Sequence, residues 1–129
     1  MAAIKLLIDT DIVIDALKGI KPAKELFRKN EVDLFCSILT KKELLSKTGL
    51  TNSEKKRILT LLEEIKILKI DEAIIKKFHL LVSKYGERPD SLADYVIAAT
   101  AWAKNLPLLT RNKKHFKLIT EVKLSPVYS

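Results

Sequence analysis

Short apolar runs that stop at polar residues are the feature of this sequence that most restricts its fold. Ile4 to Ile8 is apolar except for Lys5 and ends abruptly at Asp9. Runs of this kind are typical of strands buried on both faces of a parallel sheet. Because stretches of helical periodicity separate the runs, the sequence predicts an α/β sandwich with a mainly parallel sheet of four to five strands. The predicted strands are Ile4–Ile8, Val32–Cys36, Ile65–Ile70 and Pro107–Thr110, with a fifth at one edge, Leu118–Val122.

Capping residues predict where the intervening helices begin and end. Thr51 and Glu54 have the spacing of a capping box, Asp71 precedes an amphipathic stretch, and Gly19 is placed to end the first helix. The loop GERPDS precedes an alanine-rich helix for which Asp90 is the better candidate cap. The predicted helices run from the cap Asp11 to about Lys18, from Pro22 to Lys29, from Ser37 or Thr40 through Glu43, from Ser53 to Glu64, from Asp71 to Tyr85, and from Leu92 to Lys104.

Length and cysteine content favour one domain in a reducing compartment. The 129 residues suit a single domain covering 1–129, and nearly half of them are hydrophobic, which is enough to bury a core. The one cysteine, Cys36, reads as a core residue and cannot form an internal disulfide, so we expect a cytoplasmic protein. Asp9, Asp11 and Asp15 interrupt the apolar N-terminus, which argues against a signal peptide or a membrane span.

The net charge of +8, from 24 basic and 16 acidic residues, has two interpretations. A basic excess favours a polyanionic partner, because cations close to phosphates release condensed counterions. Lysine-rich helices that only solvate the surface would give the same charge. Charge alone does not separate these interpretations, but several of the few acidic residues fall at positions that suggest a site.

Acidic residues from separate segments fall where a parallel sheet places ligands, beyond the carboxyl ends of its strands. Asp9 follows the first strand, Glu43 lies on the helix after the second, and Asp94 is in the first turn of the alanine-rich helix. Carboxylate oxygens suit Mg²⁺ or Mn²⁺. Each residue also has an ordinary interpretation: Asp9 as a strand-end carboxylate, Glu43 as a surface glutamate, and Asp94 as a favourable charge at a helix N-terminus. Asp11 is expected to be a helix cap and Asp15 a surface residue.

Three segments together resemble the PIN-domain family, in particular its VapC-like toxin ribonucleases. LLIDTDIVIDALKG is similar to the opening motif of that family, and SLADYVIAATAWAKNLPLLTRNKKHF is similar to its closing motif. Between them, ILTKKEL resembles the central strand-to-helix step that is followed by a glutamate. The segments occur in the family's order and span nearly the whole chain.

The resemblance implies a three-layer α/β/α sandwich and a metal-dependent endoribonuclease. By position, Asp9, Glu43 and Asp94 would be the catalytic and metal-binding carboxylates, with Mg²⁺ or Mn²⁺ as cofactor. A fourth acidic position falls on Asn112, supported by Thr110. Asparagine adds no charge there, which puts tight binding of two metals in doubt. His115 is expected to be structural or on the surface. Candidate residues for holding RNA are Lys41, Lys42, Arg111, Lys113 and Lys114.

The resemblance also implies a homodimer, neutralised by a small antitoxin that inserts into the active-site groove. The helices around Ile58–Leu62 and Ile74–Val82 could supply such surfaces, although core packing explains them as well. Two other functions stay open. IDTDIV also fits a haloacid-dehalogenase-like phosphatase, with Asp9 as nucleophile and Asp11 as general acid. A basic RNA-binding module that has lost catalysis is the non-enzymatic alternative. A receiver-like signalling domain is less suitable, because no persuasive phosphoacceptor aspartate follows the third strand.

Overall fold

The computed structural model describes residues 4–28, 31–88 and 92–127. Within them, strands and helices alternate along most of the chain, as the apolar runs predict. The strands are β1 (Ile4–Ile8), β2 (Val32–Ser37), β3 (Lys66–Leu68) and β4 (Leu108–Leu109). The helices are α1 (Thr10–Leu17), α2 (Lys21–Leu26), α3 (Ile38–Leu45), α4 (Asn52–Leu62), α5 (Glu72–Tyr85), α6 (Leu92–Lys104) and α7 (Lys113–Phe116).

The four strands form one parallel sheet in the order β3-β2-β1-β4. β1 is central and pairs with β2 from Ile4 opposite Val32 to Leu7 opposite Phe35. On its other side, Leu7 and Ile8 pair with Leu108 and Leu109. All the strands therefore end at the same edge of the sheet, and the residues that follow β1 and β4 are neighbours there.

Two apolar cores, one on each face of the sheet, make the three layers. Leu6 and Ile8 of β1 belong to a core that also contains Ile12 of α1 and Ile58 of α4. Leu7 points the other way, into a core shared with α5, α6 and Phe116 of α7. The side chains of a strand alternate between faces, so one apolar run fills both cores. The predicted α/β/α sandwich is confirmed.

The helix caps agree with the sequence except at α1. Thr51 and Glu54 form the predicted capping box, and the Asp71 carboxylate accepts a hydrogen bond from the Ile74 amide. For α1 the N-cap is Asp9 rather than Asp11, because the Asp9 carboxylate accepts from the Thr10 amide. Gly19, with φ +82°, follows the end of α1 in the left-handed conformation that favours glycine.

The predicted fifth strand, Leu118–Val122, is wrong. Residues 117–122 form turns, in which the Ile119 amide donates to the Phe116 carbonyl and the Val122 amide to the Ile119 carbonyl. Phe116, Ile119 and Val122 are buried at intervals of three residues, a helical rather than a strand spacing.

Other predicted bounds were too long, and some positions lie outside the described residues. β3 and β4 are shorter than predicted, and α2 ends at Leu26. The predicted end of α2 at Lys29 and the predicted cap Asp90 lie outside the described residues. In the described ranges, no helix combines the length and the apolar character needed to cross a membrane.

Candidate active site

Asp9 lies at the centre of the edge where the strands end. Its Oδ1 accepts a hydrogen bond from the Thr10 amide at 2.8 Å, and its Oδ2 accepts one from Thr110 Oγ1 at 2.9 Å. Thr110 is fully buried and follows β4, so the pairing of β1 with β4 brings these two residues together across 101 positions of sequence. Burial raises the pKa of Asp9 above its usual value, and the two hydrogen bonds only partly oppose this effect.

Asp94 and Glu43 approach Asp9 from opposite layers of the sandwich. The charge of Asp94, in the first turn of α6, raises the pKa of Asp9 further. Partial burial raises the pKa of Glu43, on α3, and the negative charges of Asp9 and Asp94 raise it more. Each carboxylate thus makes ionisation of another less favourable, as expected for groups that share one site. The three predicted carboxylates therefore lie near enough for their charges to influence one another, and their role as one site stays a prediction.

The loop after β4 is held by a second group of acidic residues on α1. The Arg111 amide donates to Asp11 Oδ2 at 2.8 Å, and Arg111 Nη1 contacts both carboxylate oxygens of Asp15 at 2.8 and 2.9 Å. Asp15 is only 4% exposed, so its predicted position on the surface is wrong. The Asn112 amide donates to Thr110 Oγ1 at 3.0 Å, while the Asn112 side chain makes no capping bond to α7. Backbone and α1 contacts therefore set the shape of this loop.

The donor set fits a divalent cation that keeps part of its water shell. Hard carboxylate oxygens with mutually unfavourable charge are the groups that such an ion stabilises. In the described residues, no three His, Cys, Asp or Glu side chains are grouped closely enough to enclose an ion by themselves. Mg²⁺ commonly binds through one or two carboxylates and retains several waters, which is consistent with this spacing. Asp9, Asp94 and Glu43 are the residues that could hold it.

The predicted RNA-binding residues lie on α3 and on the loop and helix after β4. Lys41 and Lys42 belong to the helix that carries Glu43, and Lys113 and Lys114 open α7. Arg111 pairs with Asp15, so part of its guanidinium is committed to holding the loop. No observation tests the binding of RNA by these residues, and their role stays a prediction.

Sequence reasoning did not identify several residues that shape this site. His115 was expected to be structural or on the surface, but its Nδ1 lies 3.1 Å from Asp94 Oδ2. Thr40 is fully buried, and its Oγ1 accepts from Thr10 Oγ1 at 3.1 Å, which joins α3 to α1 behind Asp9. One signal was available: Asp11 and Asp15 are four positions apart, so a helix places them on the same face.

The predicted core cysteine is confirmed. Cys36 on β2 is fully buried, and burial raises the pKa of its thiol to about 12. A thiol in this environment stays protonated at neutral pH and cannot serve as a nucleophile or a metal ligand. The chemistry of the site therefore depends on oxygen groups.

Fold and site together define a parallel α/β sandwich with a cluster of carboxylates at the carboxyl edge of its sheet. The model of the PIN domain family matches residues 6–121, and the chain belongs to that family. It is 36% identical over 121 residues to Ribonuclease VapC1 of Methanocaldococcus jannaschii. The aligned region covers 91% of this chain and 82% of the relative. The chain is 27% identical over 122 residues to Ribonuclease VapC10 of Mycobacterium tuberculosis, covering 92% and 90% of the two chains.

Solved structures with the same fold include members of toxin–antitoxin systems. A chain of a toxin–antitoxin complex from Klebsiella pneumoniae has a TM-score of 0.73 and 27% identity, with 96% of each chain covered. A chain of VapBC2 from Rickettsia felis, bound to a DNA fragment from its promoter, has a TM-score of 0.79. It covers 98% of this chain and all of the other, and at 23% identity it supports the fold alone.

Proposed function

We propose that this protein is a metal-dependent endoribonuclease that hydrolyses RNA phosphodiester bonds, the toxin of a type II toxin–antitoxin pair. The observation that carries the proposal is the match to the PIN domain family over residues 6–121, and the influence of the Asp9, Glu43 and Asp94 charges on one another supports it. Curated relatives named Ribonuclease VapC and a toxin–antitoxin complex of the same fold support both parts of it. A basic chain with net charge +8 is suited to an RNA substrate.

The residues of this chain prepare the site for a divalent ion, for which Mg²⁺ or Mn²⁺ is our choice. Such an ion supplies an activated water and neutralises negative charge that develops on a phosphate. Asp9, fixed by Thr10 and Thr110, and Asp94 would hold the ion most directly. Glu43 is more exposed and would orient a water or the ion's outer shell. Asn112 would contribute a neutral oxygen at the corner where an aspartate would add charge.

Cleavage assays with charge-neutral variants test this proposal. We expect the purified protein to cleave RNA with Mg²⁺ or Mn²⁺ and to stop when EDTA is added. Asp9→Asn and Asp94→Asn should each lower kcat by on the order of 100-fold or more, because each removes charge that holds the ion. Asp33→Asn is a matched control, since Asp33 lies near the start of β2 and pairs with Lys66. Undiminished metal-dependent cleavage by the double variant Asp9→Asn, Asp94→Asn would refute the proposed site.

The haloacid-dehalogenase-like alternative is not favoured. Membership in the PIN domain family argues against it, and so do the contacts of Asp11. Asp11 Oδ2 accepts from the Arg111 amide, so one oxygen of the carboxylate expected to act as general acid helps to hold the loop after β4. The inactive RNA-binding module makes a distinct prediction, namely that the unmutated protein binds RNA without cutting it under any divalent ion.

Similarity to a chain of a toxin–antitoxin complex supports an antitoxin as partner. We propose a homodimer in the cytoplasm that is neutralised by a small antitoxin. A groove of about 490 Å³ between α1, α3 and α4 supports the antitoxin, because it joins apolar Ile14, Leu50 and Ile58 to Glu43. A segment seated in this groove would lie against the carboxylate site.

We also propose that residues 1–129 form a single domain, because one sheet is shared by both cores.

Two measurements test these partner proposals. Light scattering should give twice the mass of one chain, and a monomer at high concentration would contradict the dimer. Expression of the unmutated protein without a partner should arrest growth of the host cell, whereas Asp9→Asn should not. Vigorous growth despite active nuclease in the cell extract would favour a processing nuclease over a toxin.

A further inference from the structure

A second, basic pocket lies beside the carboxylate site. It has a volume of about 250 Å³. Its lining includes Tyr85, Arg88, Asp94, Tyr95, Lys114 and His115. Asp94, one of the carboxylates proposed to hold the ion, lies in the wall of this pocket. A ligand in the pocket would therefore lie immediately next to the reacting phosphate.

Two cations in the pocket have no carboxylate partner in the described ranges 4–28, 31–88 and 92–127. Arg88, after α5, and Lys114, on α7, are both exposed, and neither forms an ion pair with a described residue. Lys84 pairs with Glu121 and Arg111 with Asp15, but most lysines and arginines in the described ranges form no such pair; Arg88 and Lys114 are set apart because both line one cavity. An anion is the ligand that two unpaired cations at one cavity recognise.

The aromatic side chains hold the pocket in a fixed shape. Tyr85 donates from its hydroxyl to Glu121 Oε1 at 2.6 Å and accepts from the Thr120 amide at 3.1 Å, which fixes its ring. Tyr95 is 4% exposed and donates to the Gly86 carbonyl at 2.8 Å, so it anchors the turn that carries Arg88. Gly86 has φ +92°, a conformation that suits glycine at this turn. A pre-formed cavity binds its ligand with less loss of entropy.

We infer that this pocket receives the RNA nucleotide adjacent to the scissile phosphate, with Arg88 and Lys114 contacting its phosphate. The inference rests on the proposed function and adds a substrate subsite to it. The volume lies below the roughly 300–1,000 Å³ of sites that enclose a drug-sized ligand, so the cavity itself can hold only the phosphate end of one nucleotide and not a length of duplex. Exposed Leu118 and the ring of Tyr85 offer the apolar surface on which an unstacked base can rest.

Salt-dependent RNA binding tests this subsite without requiring cleavage. The probe is a short fluorescein-labelled single-stranded RNA of mixed sequence, and all proteins carry Asp9→Asn to prevent its hydrolysis. A phosphate contact contributes about 0.7 to the slope of log K against log salt for a single strand. Arg88→Gln and Lys114→Gln should each reduce the slope by about that amount and weaken binding several-fold at low salt. Lys114→Arg should retain the slope.

Lys5→Gln is the matched control, because Lys5 is exposed on β1 near the end of the strand opposite Asp9. It removes the same charge and should leave the slope nearly unchanged. An equal fall in slope for Lys5→Gln and Lys114→Gln would mean that diffuse charge, not the pocket, binds the RNA. Unchanged slopes for Arg88→Gln and Lys114→Gln would also overturn the inference.

Kinetics of the active enzyme separate this inference from the proposed function. With Asp9 intact, Arg88→Gln should raise KM for RNA several-fold and leave kcat nearly unchanged, because the phosphate it contacts is not the one that reacts. A fall in kcat with KM unchanged would instead place Arg88 in the chemical step and contradict the subsite. Absence of cleavage by the unmutated protein would refute the proposed function, while the slopes would still report on the pocket.

Discussion

Asp9 and Asp15 are two acidic side chains of the same segment with opposite surroundings. Asp15, nearly completely buried, is neutralised by Arg111. Asp9 has hydrogen bonds from Thr10 and Thr110, but no described lysine or arginine forms an ion pair with it. Burying a carboxylate without a cation costs free energy. The fold therefore retains at Asp9 a destabilising charge that a bound divalent cation would offset.

Replacing Asp9 should consequently stabilise the metal-free protein. Because the folded-state pKa of Asp9 is raised, its contribution to stability is full below the unfolded pKa and is lost as pH rises through the folded pKa. Asp9→Asn should therefore raise Tm at pH 7 in EDTA by about 2–5 °C, which corresponds to roughly 1 kcal/mol in a chain of this size. Calorimetry of both proteins from pH 4 to pH 7 should show the gap opening as pH rises. A variant less stable than the parent at pH 7 would contradict this account.

Removing Asp15 should have the opposite effect. Asp15→Ala leaves Arg111 without its carboxylate and opens a buried space, although Arg111 is 54% exposed and water screens part of the loss. We expect the free energy of unfolding to fall by about 1–3 kcal/mol, less than for a completely buried pair. Urea denaturation measures the change. Asp33→Ala is the control, since the Asp33–Lys66 pair is exposed and 3.8 Å apart, and it should cost less than about 1 kcal/mol.

The sequence predicted three carboxylates at the carboxyl edge of the sheet but not the contacts that hold their neighbours. Asp9, Glu43 and Asp94 follow from strand ends and from the order of the motifs. The pairing of Asp15 with Arg111 depends on how α1 packs against the loop after β4, 96 positions away. A single sequence carries no signal for such a contact. The sequence also did not show that Asp9 caps α1, while Asp11, in the first turn, accepts from the Arg111 amide.

At the scale of elements, α7 is the most dependent on its surroundings. Four residues are too few to form a stable helix alone, so packing must hold it. Phe116, the only buried residue among the four described in α7, provides that packing within the core shared with α5 and α6. The same short helix carries Lys114 and His115, which line the pocket beside Asp94.

Phe116→Ala should therefore affect stability and RNA binding together. Truncating a fully buried phenylalanine costs about 3–5 kcal/mol, measurable by urea denaturation. Phe116→Leu should cost less, because it keeps much of the apolar contact. If α7 depends on Phe116, the folded Leu variant should also bind RNA more weakly than the parent. Parental affinity and stability in the Ala variant would show that other contacts hold α7.

Elements were predictable where a single pattern determined them. The run IKLLI gives β1 at its observed bounds, and the pair Thr51 and Glu54 gives the capping box of α4, which begins at Asn52 instead of the predicted Ser53. The strand predicted at residues 118–122 is absent because LITEV contains apolar residues at intervals that suit either a strand or a turn. The buried spacing of three from Phe116 to Ile119 to Val122 becomes visible only with the tertiary core. Short apolar runs are ambiguous for this reason.

At the scale of the whole molecule, binding of a divalent cation should couple to stability. An ion that binds only the folded state stabilises it by about 2.7 kcal/mol at a concentration 100 times its Kd. Mn²⁺ or Mg²⁺ should therefore raise Tm of the unmutated protein and have little effect on Asp9→Asn. The rise should grow from pH 5 to pH 7.5, because the raised pKa values of Asp9 and Glu43 leave fewer carboxylates ionised at low pH. Equal rises in parent and variant would place the ion elsewhere.

The pairing of β4 with β1 has a consequence for how the protein is made. Thr110, which donates to the Asp9 carboxylate, is synthesised 101 residues after Asp9, directly after the strand β4 that positions it. While Leu108 and Leu109 have not yet emerged from the ribosome, β1 lacks its neighbour β4 at the edge that carries Asp9. Since domains fold as units during synthesis, we expect the site to form only when β4 docks beside β1. The order of synthesis should therefore protect the RNA of the translating ribosome from this nuclease until β4 has emerged.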